Sequence, residues 1–329
     1  MTSRERLLAA YRCGQPDRVP INVRGVNALD PKWVESRDPS WKPLIDLVLA
    51  ECDLRIGYSP GVGWFLSASD AVQLEHHRYE RGDWYYDETI AHTPKGPLNY
   101  VNRVSRHEYS SLTDTFWITD DDTDLDRFLS VPYVPINPDM SRFSALYEEI
   151  GEGGLIIVGS LDPMAYVHDL LGSTKIAVWS LERRRDVDML IELFTERMLD
   201  WFECILSTDV DAVFGFVGAE YCIPPLMPPH LFRAWVTEPM RRITERIHAC
   251  GGLVHVHSHG ALDAVLEQFA EMGGDVLHPI EAPPMGDVTL RDAKRRIGDR
   301  VCLEGNIQIG DLFGGTEQEV RDATRFAME

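Results

Sequence analysis

In the second half of the chain, short apolar runs alternate with longer stretches whose apolar positions recur every three or four residues. The runs LIIVG (155–159), AVFGFV (212–217), LVHVH (253–257), DVLH (275–278) and VCLE (301–304) read as strands. The spacing between them predicts helices over 143–150, 164–180, 186–206, 229–249, 261–272, 289–297 and 316–328. Apolar strands alternating with amphipathic helices predict a parallel sheet covered by helices. At this regularity the expectation is an α/β chain folded as a (β/α)8 TIM-type barrel, a single domain over 1–329.

The first half is less regular. Thr2–Tyr11 predicts a short capped helix, Arg18–Val23 a first strand, 43–51 a helix and 54–57 a second strand. From about 70 to 135 the chain turns to alternating aromatic, Thr and polar positions. Thr93-Pro94-Lys95-Gly96-Pro97 supplies turn chemistry between two strand-like runs, so a β-rich excursion from the barrel is expected there. This makes seven barrel strands. Either one strand is irregular, or the chain is short by its last βα unit.

Composition adds mainly exclusions. The chain is 44% hydrophobic and 26% charged, with a formal net charge of −21, which disfavours nucleic acid and anionic membrane surfaces as partners. No apolar run is long enough for a transmembrane helix. The N-terminus, charged in its first turn, lacks the apolar core of a signal peptide, and a cytoplasmic location is expected by default. Six scattered cysteines without a CxxC pair are then expected as free thiols. The acidic stretch DTFWITDDDTDLDRF (114–128) is expected to be a solvated loop leading into a helix N-terminus.

In such a barrel the chemistry sits where the strands end. The residues there are Asp162, Glu220, Tyr221, His257, His259, Glu281, Glu304 and Asn306. His255, His257 and His259 alternate, and alternate strand positions share a face. A buried row of imidazoles needs partners. His257 and His259 with a carboxylate, Glu281 or Glu220, would make a three-ligand zinc site with one open position. The alternative is a set of hydrogen-bonded histidines lining a polar pocket. His255 lies deeper, as a structural ring or one that orients a ligand. Glu220 and Tyr221, ahead of the proline run at 224–229, are expected to act on substrate. Asn306 either binds a ligand or caps a turn, and Glu304 is expected to be paired.

The stretches SRERLLAAYRCGQPDRVP, TPKGPLNYVNRV, DAVFGFVGAEYCIPPLMPPHLFRAWVTEPM, GGLVHVHSHGALDAVLEQFAEMGGDVLHPIEAPP and RVCLEGNIQ occur in this order. Together they resemble the uroporphyrinogen decarboxylase superfamily, which includes zinc-dependent, cobamide-linked methyltransferases. The resemblance implies the barrel. In the methyltransferase branch a His-x-Cys-Gly motif ends the strand and binds zinc; here it stands as His257-Ser258-His259-Gly260. That branch's remaining cysteine ligand would fall beyond Glu329. The decarboxylase branch carries an arginine-rich substrate motif after the first strand, where NVRGVNA (22–28) has only Arg24.

The leading expectation is therefore a methyltransferase of this superfamily. Zinc sits on His257, His259 and Glu281; Glu220 and Tyr221 are catalytic; Arg24, Asp162 and Asn306 bind substrate. Zinc would activate a small thiol or a methoxy-type substrate, and a partner protein would carry methylcobamide. The alternatives are metal-free decarboxylation of a small acid held by Arg24, and a ligand-binding barrel without catalysis. An exposed strand edge would let the chain pair as a homodimer.

Overall fold

A computed structural model describes residues 1–107, 110–208, 211–305 and 307–328. Its strands, in chain order, are β1 (Leu54–Tyr58), β2 (Gln73–Arg81), β3 (Trp84–Thr93), β4 (Gly96–Ser105), β5 (Ser111–Thr115), β6 (Gly154–Leu161), β7 (Val213–Val217), β8 (Leu253–His257), β9 (Val276–His278) and β10 (Cys302–Leu303). Two compact units divide them. One comprises Met1–Pro60, Asp139–Asp162 and Ile205–Glu329; the other comprises Gly61–Pro138 and Pro163–Cys204.

The first unit holds a six-stranded sheet in the order β1-β6-β7-β8-β9-β10. All its pairs are parallel, as expected for an α/β chain of TIM-barrel type. The sheet is open: among the described residues no ladder joins β10 to β1. The expected first strand, Arg18–Val23, is not one. Pro20 has no N–H to give to a ladder, and the segment is tied instead chiefly to Asp53. The Ile21 N–H donates to the Asp53 carboxylate at 2.9 Å, and the Ile21 carbonyl accepts from Asp53 N–H at 2.6 Å. Asp53 is fully buried and also pairs with Arg6 at 2.6 Å and Arg18 at 2.7 Å.

Helix α1 (Ser3–Tyr11) opens with a capping box. The Thr2 hydroxyl accepts from Glu5 N–H at 3.1 Å, and the Glu5 carboxylate accepts from Thr2 N–H at 2.9 Å. Leu7 and Tyr11 pack against Leu155, Val213 and Val276, which stand at or next to the starts of β6, β7 and β9. α1 thus closes the N-terminal end of the sheet with apolar side chains. The polar groups collect toward the other end.

Most predicted helices form near their expected bounds. The 229–249 helix contains a π turn at Arg233–Thr237, and the 261–272 helix shortens to Leu266–Glu271 after a 3-10 turn at Asp263–Val265. Short helices at Pro31–Glu35 and Ile309–Gly314 were not expected. All six cysteines are free.

In the second unit the β-rich excursion is an antiparallel sheet, β2-β3-β4-β5, with a tight turn from Thr93 to Gly96. Helix Thr123–Leu129 forms the last part of the acidic stretch, which is not wholly solvated. The Asp124 carboxylate is buried and accepts from Thr119 N–H at 2.9 Å and Asp120 N–H at 2.8 Å. Helix Pro163–Glu182 breaks at Gly172, whose φ is 72°. A Cβ there would lie 2.5 Å from the Phe116 ring.

Candidate functional site: a layered histidine cluster at the strand ends

Above the apolar plug lies a buried ionic layer. Arg55 comes from β1, His255 from the middle of β8, and Glu304 directly follows β10. Arg55 donates to the Glu304 carboxylate at 2.8 and 2.9 Å, and Tyr11 OH donates to it at 2.7 Å. His255 Nε2 lies 3.1 Å from the same carboxylate. The other arm of Arg55 donates to Asn22 Oδ1 at 2.9 Å. Burial works to raise the Glu304 carboxyl; the His255 hydrogen bond and the Arg55 charge outweigh it and hold the group well below the ordinary carboxylate range. Burial also pushes the Tyr11 phenol well up. Glu304 is fully engaged by these partners, which makes it a structural anion.

The next layer sits where β8 and β9 end. Their register places His257 opposite His278, and the rings stack with centroids 5.1 Å apart and 21° between planes. The two Nδ1 atoms are 2.9 Å apart. Arg24 reaches over them: its Nη1 is 2.8 Å from His278 Nδ1 and 3.3 Å from His257 Nδ1. Burial and then neighbouring positive groups lower both imidazoles, His257 to about 4 and His278 to about 3, so both are neutral at pH 7. Burial also lowers Arg24. Among the described residues Arg24 has no carboxylate partner; its hydrogen-bonding contacts are the two rings.

His259 stands outermost, beyond the end of β8. Its ring meets His257 edge-on, with centroids 4.5 Å apart. His259 Nδ1 is 3.1 Å from Glu281 Oε1, and Glu281 Oε2 accepts from Gly260 N–H at 2.8 Å. Glu220, in the turn Ala219–Cys222 after β7, accepts from Gly218 N–H at 3.2 Å. Burial raises its carboxyl, and the charge of His259 acts on it in the opposite sense.

Arg24, His257, His259 and Glu281 are therefore neighbours, and Glu220 lies within electrostatic reach of His259. Asp162 is buried just past β6, where its N–H donates to Val217 O at 2.9 Å. Tyr221 lies in the same turn as Glu220. Asn306 lies outside the described residues. Sequence reasoning missed His278 and Arg55. For His278 a signal existed: it ends a strand in HPIE, as His257 ends one in HSHG.

Among the described residues no group of three or more His, Cys, Asp or Glu side chains is arranged to hold a metal ion. The donor chemistry of His257 and His259 nonetheless suits zinc. Neither His257 Nε2 nor His259 Nε2 has a hydrogen-bond partner among the described residues. Glu281, holding His259 through Nδ1, has the relation of a carboxylate that orients a ligating imidazole.

No curated protein matches the chain. A solved structure, a methyltransferase from Methanosarcina mazei, superposes with a TM-score of 0.61 over 100% of this chain and 90% of that one, at 18% identity. At that identity the likeness is one of fold. No helix of the described residues is long and apolar enough to cross a membrane. Residues 141–329, more than half of the chain, match the model of the uroporphyrinogen decarboxylase (URO-D) family. That span takes in every parallel strand from β6 onward and all the histidines and carboxylates of the cluster, though not Arg24, Arg55, Tyr11 or Asn22, and by it the chain belongs to the uroporphyrinogen decarboxylase family.

Proposed function

We propose that the protein is a methyltransferase that takes a methyl group from a small methoxy substrate bearing a carboxylate and passes it to a corrinoid carried by a partner protein. One observation carries the substrate class. The Arg24 guanidinium stands at the strand ends with one arm on His278 and no carboxylate partner among the described residues. A guanidinium with an open arm is a fork for a carboxylate, and the neutral rings beneath it do not compete as cations. His257 and His259 would hold zinc, with Glu281 behind His259 rather than on the metal, and zinc supplies Lewis acidity at the ether oxygen when bound.

The chain's own residues do the rest. Arg24 fixes the carboxylate, and Glu281 orients the outer imidazole. As the methyl leaves, the oxygen keeps the electron pair and needs a proton. Glu220, whose carboxyl burial raises, is suited to hold that proton and deliver it. Asp162, Tyr221 and Asn306 would line the substrate.

The test pairs two measurements. Calorimetric titration with 4-methoxybenzoate and with its carboxamide should show binding of the acid only, lost in Arg24→Gln. Elemental analysis should find stoichiometric zinc in the wild type and none in His257→Ala. Equal affinity for acid and amide overturns the carboxylate reading; absence of zinc overturns the metal reading.

A second reading, metal-free decarboxylation of a small acid, is favoured by the same unpaired Arg24 above two neutral imidazoles. Turnover that survives a strong chelator selects it.

A further inference from the structure

We propose that Asn22 is a positioning residue for the substrate carboxylate: from two residues away, its side-chain amide fixes where the Arg24 guanidinium stands. The inference rests on the reading of Arg24 as a carboxylate fork and extends it to the residue that aims the fork. Every hydrogen-bonding contact of the Arg24 guanidinium runs through Nη1. That atom lies 2.8 and 3.4 Å from the two ring nitrogens of His278 and 3.3 Å from His257 Nδ1. Among the described residues Arg24 Nε and Nη2 have no hydrogen-bond partner. Together they form an edge that can grip a carboxylate by two parallel bonds. Contacts at one nitrogen do not set the direction of that edge, so the backbone beneath it must.

That backbone is held at Asn22. Among the described residues, residues 23 to 26 make no hydrogen bonds except those of the Arg24 guanidinium. Gly25, at φ 85°, turns the chain directly after it. Asn22 uses both halves of its amide. Its Nδ2 donates to the Asp53 carbonyl at 2.9 Å, and its Oδ1 accepts from Arg55 Nη2 at 2.9 Å. A carbonyl only accepts and a guanidinium only donates. The position therefore calls for a donor and an acceptor at fixed geometry on one side chain, which an amide supplies. Asp53 immediately precedes β1 and Arg55 is the second residue of that strand. The other arm of Arg55 is held by Glu304 at 2.8 and 2.9 Å, so the fastening ends in the buried ionic layer. Two residues of chain span about 7 Å at most, too little to absorb a shift at Asn22 before Arg24.

The test is a double-variant cycle read by calorimetric titration with 4-methoxybenzoate. Arg24→Lys keeps the charge and gives up the two-pronged edge, so it should bind the acid more weakly than the wild type does. Asn22→Ala should weaken acid binding on the order of 10–100-fold in the wild-type background. In Arg24→Lys, with no edge left to aim, it should cost clearly less. A general structural loss would be the same factor in both backgrounds. Urea midpoints establish that each variant is folded. If Asn22→Ala does not fold, Asn22→Asp serves: it has the same size and keeps the bond from Arg55, but it cannot donate to the Asp53 carbonyl. The same inequality is expected of it. Acid affinity unchanged by the Asn22 variant, or reduced by one factor in both backgrounds, overturns the proposal and leaves the Arg24 reading standing. Arg24→Lys binding the acid as tightly as the wild type overturns the Arg24 reading, and this inference with it, so the two failures are distinguishable.

Discussion

Arg55 on β1 and Glu304 just past β10 form a buried ion pair at 2.8 Å between the two edge strands of the parallel sheet. Where no ladder joins those edges, a guanidinium and a carboxylate do. Their side chains are 10% and 16% exposed, so removing either leaves an uncompensated charge with little water around it. Arg55→Met or Glu304→Gln should each cost about 3–5 kcal/mol. The double variant should cost less than the sum. Urea unfolding of the three variants checks this, and additive losses would show the pair is not coupled.

Acid should weaken the protein from about pH 6.5 downward. His257 and His168 are lowered to about 4 and His278 to about 3, each chiefly by burial. The unfolded chain binds these protons near pH 6.5 while the folded one refuses them. Stability is therefore full above about 6.5 and drains as pH falls toward 4. Asp169, raised to about 6 by burial, acts in the opposite sense, because its folded form takes up a proton first. Glu220, raised by burial, and His248, raised by its hydrogen bond to Asp275, act as Asp169 does, but the three imidazoles are displaced furthest and the net is a loss. Urea midpoints at pH 7.5, 5.5 and 4.5 measure it, and a flat profile refutes it.

The α1 plug should be a large single contributor. Leu7 is 1% exposed and faces the starts of three strands through Leu155, Val213 and Val276. Leu7→Ala should cost about 2–5 kcal/mol, read as a lowered denaturant midpoint. Thr2→Ala, which removes the cap alone, should cost only about 1 kcal/mol.

Gly172→Ala should destabilise although it adds a single methyl. The residue has φ 72°, and the new carbon would lie 2.5 Å from Phe116. Backbone strain of this kind costs about 1–3 kcal/mol. Trimming the ring as well, in Gly172→Ala with Phe116→Leu, should relieve the clash and leave the strain; thermal melts separate the two.

The rhythm of strand and helix after residue 143 was legible because burial on both faces forces apolar runs in the strands and a 3.6-residue period in the helices. The segment 18–23 was misread for the same reason. RVPINV has the apolar content of a strand, but nothing local reveals that Pro20 and the side chain of Asp53 replace a ladder with one doubled link. That His257, His259 and Glu281 lie together was legible from their places at and just past strand ends. His278 was passed over because its importance comes from register: only the pairing of β8 with β9 sets it opposite His257. Arg55 looked like an ordinary strand residue, since its carboxylate is 249 residues away in the chain.

With α1 packed on the strand starts, the way to His257 and Arg24 does not run through that end of the sheet. The strand ends and the unladdered edges at β1 and β10 are the sides left for a substrate or a partner to approach.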